Sequence, residues 1–517
     1  MDTSHIGSTS DRPNFIEEAR SAWCNGDFER CVELCASAGP LSDQARKGFA
    51  LLSARALLRL DRGGDALQQL RAIGDENDVS VRILTGSSQS RHGDHDAGLR
   101  TLRAVLVDTA VDRAARAETN LWIALACYGK RDLDGADAAL DAVPADGGML
   151  HARALEYRGW VASARADYDR ATAAFSGALR VLDACSERDA FVEANCVQAL
   201  LTLAVERHDR MTWSIVAARR AAGHWRAAGL DYLRFVIALQ ASAFAYDVIG
   251  NAFTAAAEAC RAEQLAPSIA YRVQALCARA WISRCAGEKL AQHDHVRAAL
   301  QLFDGIGVWS PKGDEAIVSL VLAEELANVR CEKDARRVFD LYRAQAATSP
   351  MLAITADRRR DGYERLVEAQ ILEAEGKLED AVSGYRDAFQ IFCPIGYVRR
   401  SIVAAVRLVR LSPNDEYLWG HIDIVVAGIA KGSWIGPAAD QLRRMRHVAA
   451  LSAVQREYLR FICAGMSNPD IARIRKRSKH TVRNQIATLF GAFRVHNRAE
   501  LVAKCARLGI ISSEAAG

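Results

Sequence analysis

A helical hairpin pattern recurs along most of the chain, about once every 39 residues. Each copy has an Ala/Leu-rich segment, a glycine or polar turn, and a second segment with small residues at fixed positions, whereas the period-2 alternation of strands is nearly absent. A repeat of this length is typical of solenoids, in which each hairpin buries its faces against its neighbours. The sequence therefore predicts an all-α fold, an irregular helical-hairpin solenoid. Its turns are expected near Gly26, Gly64, Gly93, Gly129, Ala166, His208, Gly250, Gly287, Glu332 and Gly376.

Two copies show the pattern most clearly, because each places a small, an aromatic and a small residue at spacings of four and three. These positions are Ala171, Phe175 and Ala178 in one copy, and Ala381, Tyr385 and Ala388 in the other. The small residues let two helices approach closely, and the aromatic ring fills the gap to the next hairpin. These copies resemble tetratricopeptide repeats. The resemblance implies a curved stack whose concave surface binds an unidentified ligand or protein partner.

Composition and motifs argue against a membrane protein and against a disulfide-stabilised secreted protein. No run reaches the roughly 18 apolar residues that a membrane-spanning helix needs, and the first residues lack the apolar core of a signal peptide. The thirteen cysteines include no CxxC pair, so neither a zinc ribbon nor a disulfide framework is indicated. We expect a cytoplasmic protein that makes no contact with a membrane.

Motifs that carry catalysis are absent from the sequence. It contains no phosphate-binding loop, nucleophile elbow or zinc-protease signature. Two short clusters of histidine and aspartate, at 92–96 and 293–295, lack a complete tetrahedral set of metal ligands. The sequence predicts a protein that is not an enzyme and has no catalytic residue, cofactor or metal.

Charge is distributed unevenly between the repeats and the end of the sequence. Residues 451–517 contain 12 Lys/Arg against 4 Asp/Glu, whereas residues 1–450 contain 55 against 59. A basic module attached to a mildly acidic body indicates a polyanionic partner for the basic part.

The basic segment is predicted to form four short helices over residues 451–510. Ser452, Ser467 and Ser478 stand where helix N-caps are expected, Gly465 ends the first helix, and Asn497 with Glu500 forms a capping box. In the third helix an apolar stripe recurs at i, i+4, i+7, i+8 and i+11. It consists of Val482, Ile486, Leu489, Phe490 and Phe493.

The opposite face of the third helix is polar, small and basic, which suits the major groove of double-stranded DNA. Small residues permit close approach, Asn and Arg can bind base edges, and cations at the N-terminal end can hold phosphates. The predicted DNA-binding residues are Arg477, Lys479, His480, Thr481, Arg483, Asn484, Ala487 and Thr488.

The spacing of several short motifs resembles that of a LuxR/FixJ-type helix-turn-helix domain. The motifs are Leu451-Ser452, Arg456-Glu457, Leu459, Ala464-Gly465-Met466-Ser467-Asn468, Ile471-Ala472, Ser478, Thr481-Val482, Asn484-Gln485, Val495 and Arg498-Ala499-Glu500-Leu501. The resemblance implies a four-helix domain whose third helix recognises DNA and whose fourth helix forms a homodimer contact. By position, it places Lys479, His480, Thr481, Arg483, Asn484 and Ala487 against DNA.

The turn before the third helix departs from the family pattern. The family usually has Leu-Gly-Ile/Val-Ser, whereas this chain has Arg475-Lys476-Arg477-Ser478. The change either weakens the packing of the turn or adds phosphate contacts. We favour added phosphate contacts, because long arginine stems can cover apolar surface while their heads reach phosphate.

Together these patterns predict a transcription regulator with three parts. Residues 14–430 form the tetratricopeptide-like body that senses a signal or partner, residues 431–450 form a linker with a basic helix, and residues 451–512 form the DNA-binding domain. Leu501, Val502 and Cys505 are expected to pack across the two-fold axis of a dimer. One alternative is a repeat scaffold whose C-terminal module contacts protein, and another is an enzyme with a site hidden in the solenoid groove.

Overall fold

The computed structural model describes residues 12–37, 42–75, 77–185, 189–209, 212, 231–309, 315–348, 358–412, 415–427, 429, 435–449 and 451–507. Every regular element within these ranges is a helix. None of the helices described is long and apolar enough to cross a membrane. The all-α prediction is confirmed.

The chain divides into two compact units. Unit 1 comprises Met1–Val205, Asp209–Ala245 and Ala252–Arg360, and unit 2 comprises Glu206–His208, Tyr246–Asn251 and Asp361–Gly517. The residues from 361 onward thus group with the basic module, so the division falls inside the predicted repeat body.

Seventeen helices are described before residue 350, and consecutive helices pack in pairs as hairpins. They are α1 Arg12–Cys24, α2 Phe28–Ser37, α3 Asp43–Arg59, α4 Gly63–Ile73, α5 Val79–Arg91, α6 His95–Val107, α7 Arg113–Gly129, α8 Leu133–Asp141, α9 Met149–Ala164, α10 Tyr168–Ala184, α11 Ala190–Arg207, α12 Asp231–Phe244, α13 Ala252–Leu265, α14 Ile269–Cys285, α15 Lys289–Asp304, α16 Ala316–Asn328 and α17 Glu332–Thr348. A short π-helical segment, Ala245–Ile249, follows α12.

The helices after residue 350 continue the hairpins and then form the basic module. The repeat part contains α18 Arg358–Ala374, α19 Leu378–Phe392, α20 Val398–Leu411, α21 Glu416–Ala427 and α22 Gly436–Ala449. The module contains α23 Ala453–Cys463, α24 Asn468–Arg475, α25 Lys479–Phe493 and α26 Arg498–Arg507. The predicted end of the last helix at Gly509 lies outside the described residues.

Each of these hairpin turns contains one residue in the left-handed conformation. In three of the ten turns this residue differs from the one that the sequence suggested. Seven predictions, such as Gly26 and Ala166, coincide with a positive φ, but Asp61, Arg131 and Arg330 hold the remaining turns. Backbone hydrogen bonds close these turns: the N–H of Arg131 donates to Tyr128 O, at 2.9 Å. The turn predicted near Gly129 has Arg131 as its left-handed residue, because Gly129 itself ends α7, where an added Cβ would lie 2.6 Å from the His95 ring.

The alanines and the aromatic residues of the two clearest repeats are buried, but the contacts described for each aromatic side chain are with the first helix of its own hairpin, whereas the pattern predicted that the ring fills the gap to the next hairpin. In α10, Phe175 is fully buried against Gly159 of α9, where an added Cβ would lie 2.5 Å from the phenyl ring. The ring also meets Trp160 edge to face, with centroids 5.0 Å apart. In α19, the buried Tyr385 hydroxyl donates to Glu373 Oε2 at 2.6 Å. Close helix contact therefore explains the small residues.

The histidine and aspartate cluster at 92–96 is occupied by local structural contacts. Asp94 caps α6 by accepting from the N–H of Ala97, His95 Nδ1 lies 2.8 Å from Ser90 Oγ, and Asp96 pairs with Lys130. Across the described part of the chain, no three potential ligands are grouped closely enough to hold a metal ion.

Candidate nucleic-acid interface

The four helices of the module surround their own hydrophobic core. The apolar stripe of α25 points inward: Val482, Ile486, Leu489 and Phe493 are buried, and Phe490 is half-buried against them. Helices α23, α24 and α26 close this core. The remaining core side chains are Leu451, Tyr458, Leu459, Ile462, Ile471, Ala472, Leu501 and Cys505.

Side-chain caps begin all four helices at the positions that the sequence predicted. Ser452 accepts from the N–H of Gln455 within a capping box, Ser467 accepts from Asp470, and Ser478 accepts from Thr481 at 3.0 Å. Asn497 Oδ1 accepts from the N–H of Glu500 at 2.9 Å. Each cap satisfies a backbone donor that the helix leaves free, so the four helix starts are specified locally.

The turn between α24 and α25 separates its two arginines into different environments. Lys476 adopts the left-handed conformation, with φ 48°, where the family pattern has glycine. Arg475 Nη1 donates to Glu457 Oε1 of α23 at 3.0 Å, so its guanidinium is held within the module. Arg477 is exposed beside the N-terminal end of α25. Of the two arginines, only Arg477 is available to a phosphate.

All eight predicted DNA-binding residues are exposed on or beside α25. These are Arg477, Lys479, His480, Thr481, Arg483, Asn484, Ala487 and Thr488. Two of them are linked along the helix, since His480 Nε2 and Asn484 Nδ2 lie 3.3 Å apart. The result is an exposed polar strip whose three cations, Arg477, Lys479 and Arg483, precede its small residue, Ala487.

The described acidic residues of the module are engaged away from this strip. Glu457 pairs with Arg475, and Glu500 accepts from the N–H of His496 at the start of α26. Asp470 accepts from the Ser467 hydroxyl, and this hydrogen bond, with Arg473 nearby, lowers the pKa of the Asp470 carboxyl. Because Arg477, Lys479 and Arg483 are exposed and the N-terminal end of α25 adds a positive dipole, the strip is electropositive.

Comparison with protein families identifies this arrangement. The model of the bacterial regulatory proteins of the luxR family matches residues 449–505. Residues 449–505 form a LuxR-type helix-turn-helix domain. The match confirms the resemblance seen in the motifs, and it supports a DNA-binding role for this domain in transcription regulation.

Comparisons over the whole chain add only distant likenesses. Similar solved structures include the APC/C hetero-tetramer Cut9-Hcn1, with 12% identity over 86% of this chain and 88% of that chain, at a TM-score of 0.36. Another is the TPR domain of P58(IPK), with 13% identity over 86% of this chain and 100% of that chain, at a TM-score of 0.22. No curated protein sequence matches the chain significantly. The confirmed helical-hairpin fold therefore rests on the helices described above.

The predicted dimer contact of the LuxR-type domain needs a correction. Leu501 and Cys505 are fully buried in the core of their own module, and Val502 is half-buried against it. A hydrogen bond with Cys463 of α23 raises the pKa of the Cys505 thiol. The expectation that a single module exposes this stripe is wrong, because α23 and α25 already cover it.

Sequence reasoning missed one residue that holds the LuxR-type domain together. Arg498, at the start of α26, donates to Asn468 Oδ1 at 3.2 Å and to the carbonyl oxygens of Ile462 and Met466. It thereby ties α26 to the link between α23 and α24. Its place within the motif Arg498-Ala499-Glu500-Leu501 was the available signal.

Proposed function

We propose that the chain controls transcription by placing α25 of its LuxR-type domain in the major groove of operator DNA. The observation that supports this proposal is the exposed strip of α25, which is cationic at its N-terminal end and has its neighbouring acids engaged elsewhere. A helix that enters the major groove needs an accessible polar face and cations near the flanking phosphates.

Within this strip the side chains take different roles. Arg483 and Asn484 bind base edges, for which guanidinium and carboxamide groups have matching donors and acceptors. Lys479 and Arg477 hold phosphates at the N-terminal end of α25. Ala487 leaves room for close approach. His480, Thr481 and Thr488 contact the backbone or the groove edge.

The domain acts as a homodimer on paired half-sites in this proposal. Because Leu501 and Cys505 are buried, the contact uses the exposed side of α26, where Ala499, Ala503 and Ala506 lie at helical spacing. Small residues at such positions let two helices pack closely. The half-buried Val502 borders the same side.

The hairpin body supplies the regulatory input. A ligand or protein partner bound there changes DNA binding only if its affinity differs between the DNA-competent and incompetent forms. Stacked hairpins suit this role because small shifts at each interface add up along the stack.

Genome-wide mapping of the intact chain on DNA in its own cell tests the proposed function. We expect enrichment at discrete sites that share a sequence, and loss of this enrichment in an Arg483→Ala, Asn484→Ala double variant. Arg460→Ala is the matched control, since it removes an exposed arginine from α23. Absence of discrete sites, or equal enrichment by the double variant, would rule the proposal out.

A further inference from the structure

A cavity of about 220 Å³ lies in unit 1, among five alternate helices of the chain. Helices α3, α5, α7, α9 and α11 each contribute at least one lining side chain. The lining side chains include Arg59, Arg91, Glu156, Trp160, Phe191 and Asn195. Alternate helices of this part of unit 1 therefore line one shared cavity.

Contacts between hairpins distant in sequence build this cavity. Arg59 of α3 donates to Asp189, just before α11, at 3.0 Å, and its guanidinium carbon lies 4.6 Å from the centroid of the Phe191 ring. That ring also meets Phe28 of α2, with centroids 5.7 Å apart. These contacts hold α3 and the start of α11 together at the cavity.

Glu156 is a buried carboxyl with one oxygen left without a hydrogen bond. Its side chain belongs to a residue that is 2% exposed, and Oε1 accepts from Asn195 Nδ2 at 3.0 Å. Oε2 has no partner among the described residues. A buried acceptor without a donor is costly, and Glu156 lines the cavity, so a bound molecule with a donor would satisfy it.

The lining disfavours an acidic ligand. Both lining arginines already have an acidic partner, since Arg59 pairs with Asp189 and Arg91 Nη1 lies 3.4 Å from Asp61 Oδ1. The remaining walls are largely aromatic and apolar, including Trp160 and Phe191. An apolar cavity of about 150 Å³ accepts benzene, so this one has room for a substituted or fused ring.

We propose that this cavity binds a small, flat, neutral aromatic compound that carries an N–H group, and that this N–H donates to Glu156 Oε2. The ring lies between the aromatic walls, where stacked and edge-to-face contacts are favourable. The inference deepens the sensing role of the body and rests on the proposed function only for its consequence on DNA binding. Ligand binding itself is measured without DNA.

The test is a ligand-observed NMR titration of the full chain with indole, indene and benzoate. Indole and indene have the same fused-ring shape, but only indole has an N–H. At pH 8.5, above the raised pKa of about 7 of the Glu156 carboxyl, we expect indole to bind at least tenfold more tightly than indene, as a hydrogen bond to a charged acceptor predicts. Benzoate should bind more weakly than indole, because the arginines are paired.

Glu156→Gln provides the second arm of the experiment. If its Oε1 keeps the Asn195 hydrogen bond, the glutamine turns an N–H₂ group toward the ligand, so indole should lose its advantage over indene. Equal binding of indole and indene by the parent chain would overturn the proposal even if the variant fails to fold. Tighter binding of benzoate would overturn the ligand class. Neither result bears on DNA binding by α25.

Discussion

The exposed side chains on and beside α25 are expected to differ in what they contribute to DNA binding. We predict that Arg483→Ala costs about 1–3 kcal/mol on the preferred site and relaxes the base preference there, because a bidentate contact to a base edge is lost. Lys479→Ala should weaken all sequences similarly and reduce the salt slope by about 1, because one phosphate contact is lost. Fluorescence anisotropy on preferred and scrambled duplexes, over a range of salt concentrations, measures both effects. An equal loss of affinity for preferred and scrambled duplexes in Arg483→Ala would contradict the role of Arg483 in base recognition.

Glu156 is expected to make the stability of unit 1 depend on pH. Burial raises the pKa of its carboxyl to about 7, although Arg59 and Arg153 oppose the shift; Asp189 and the buried Cys196 also face the group. The folded chain therefore keeps a proton that the unfolded chain releases between its ordinary pKa of 4.5 and about 7. Its contribution to the free energy of unfolding falls as pH rises through this window, by about 3 kcal/mol.

Denaturant unfolding of the parent and Glu156→Gln at pH 5 and pH 8 measures this contribution. The variant cannot ionise at this position, so its stability relative to the parent should rise between the two pH values. An identical difference at both pH values would contradict the shifted pKa of Glu156.

The two arginines of the turn before α25 have different environments that the sequence does not distinguish. The departures Arg475 and Arg477 look equivalent in the sequence, although only Arg477 is among the predicted DNA-binding residues. The structure separates them, because Glu457 of α23 lies within 3.0 Å of Arg475. That partner is 18 residues away, and only the packing of α23 against α25 brings the turn to it.

At the scale of the element, the hairpin of α9 and α10 depends on a close contact between its helices. We predict that Gly159→Ala destabilises unit 1 by about 1–3 kcal/mol, because the new Cβ would lie 2.5 Å from the Phe175 ring. Gly177→Ala is the matched control on α10, since its nearest neighbour would be 3.5 Å away and alanine favours helix. Denaturation midpoints compare the two; equal midpoints would contradict the packing argument.

The exposed side of α26 is expected to form the dimer contact. Ala503→Arg should weaken cooperative binding to paired half-sites, because a long charged side chain would hold the two helices apart. Ala453→Arg adds the same exposed charge to α23 and should have little effect. Sedimentation on duplexes with one or two half-sites measures the stoichiometry, and paired binding that survives Ala503→Arg would place the contact elsewhere.

The starts of the four module helices were predictable because caps are local. Which side of α26 faces outward was not predictable. Ser452, Ser467, Ser478 and Asn497 each bind a backbone or side-chain group within a few residues. The stripe containing Leu501 could face either its own module or a second copy, and periodicity does not distinguish these. Burial against α23 and α25 decides it.

At the scale of the whole molecule, the succession of hairpins followed by a basic four-helix module could be predicted, but the cavity in unit 1 could not. The hairpin period and the charge difference are properties of the sequence itself. The cavity depends on the contact of Arg59 with Asp189, 130 residues later, which requires the accumulated curvature of several hairpins. No local sequence pattern encodes this accumulated curvature.

Selection of duplexes from a random-sequence library by the intact chain tests the central claim, that α25 recognises DNA sequence. We expect a shared enriched sequence for the parent, the same sequence for Arg460→Ala, and its loss in the Arg483→Ala, Asn484→Ala double variant. Failure of the parent to enrich any sequence, or equal enrichment of one sequence by the double variant, would contradict the claim.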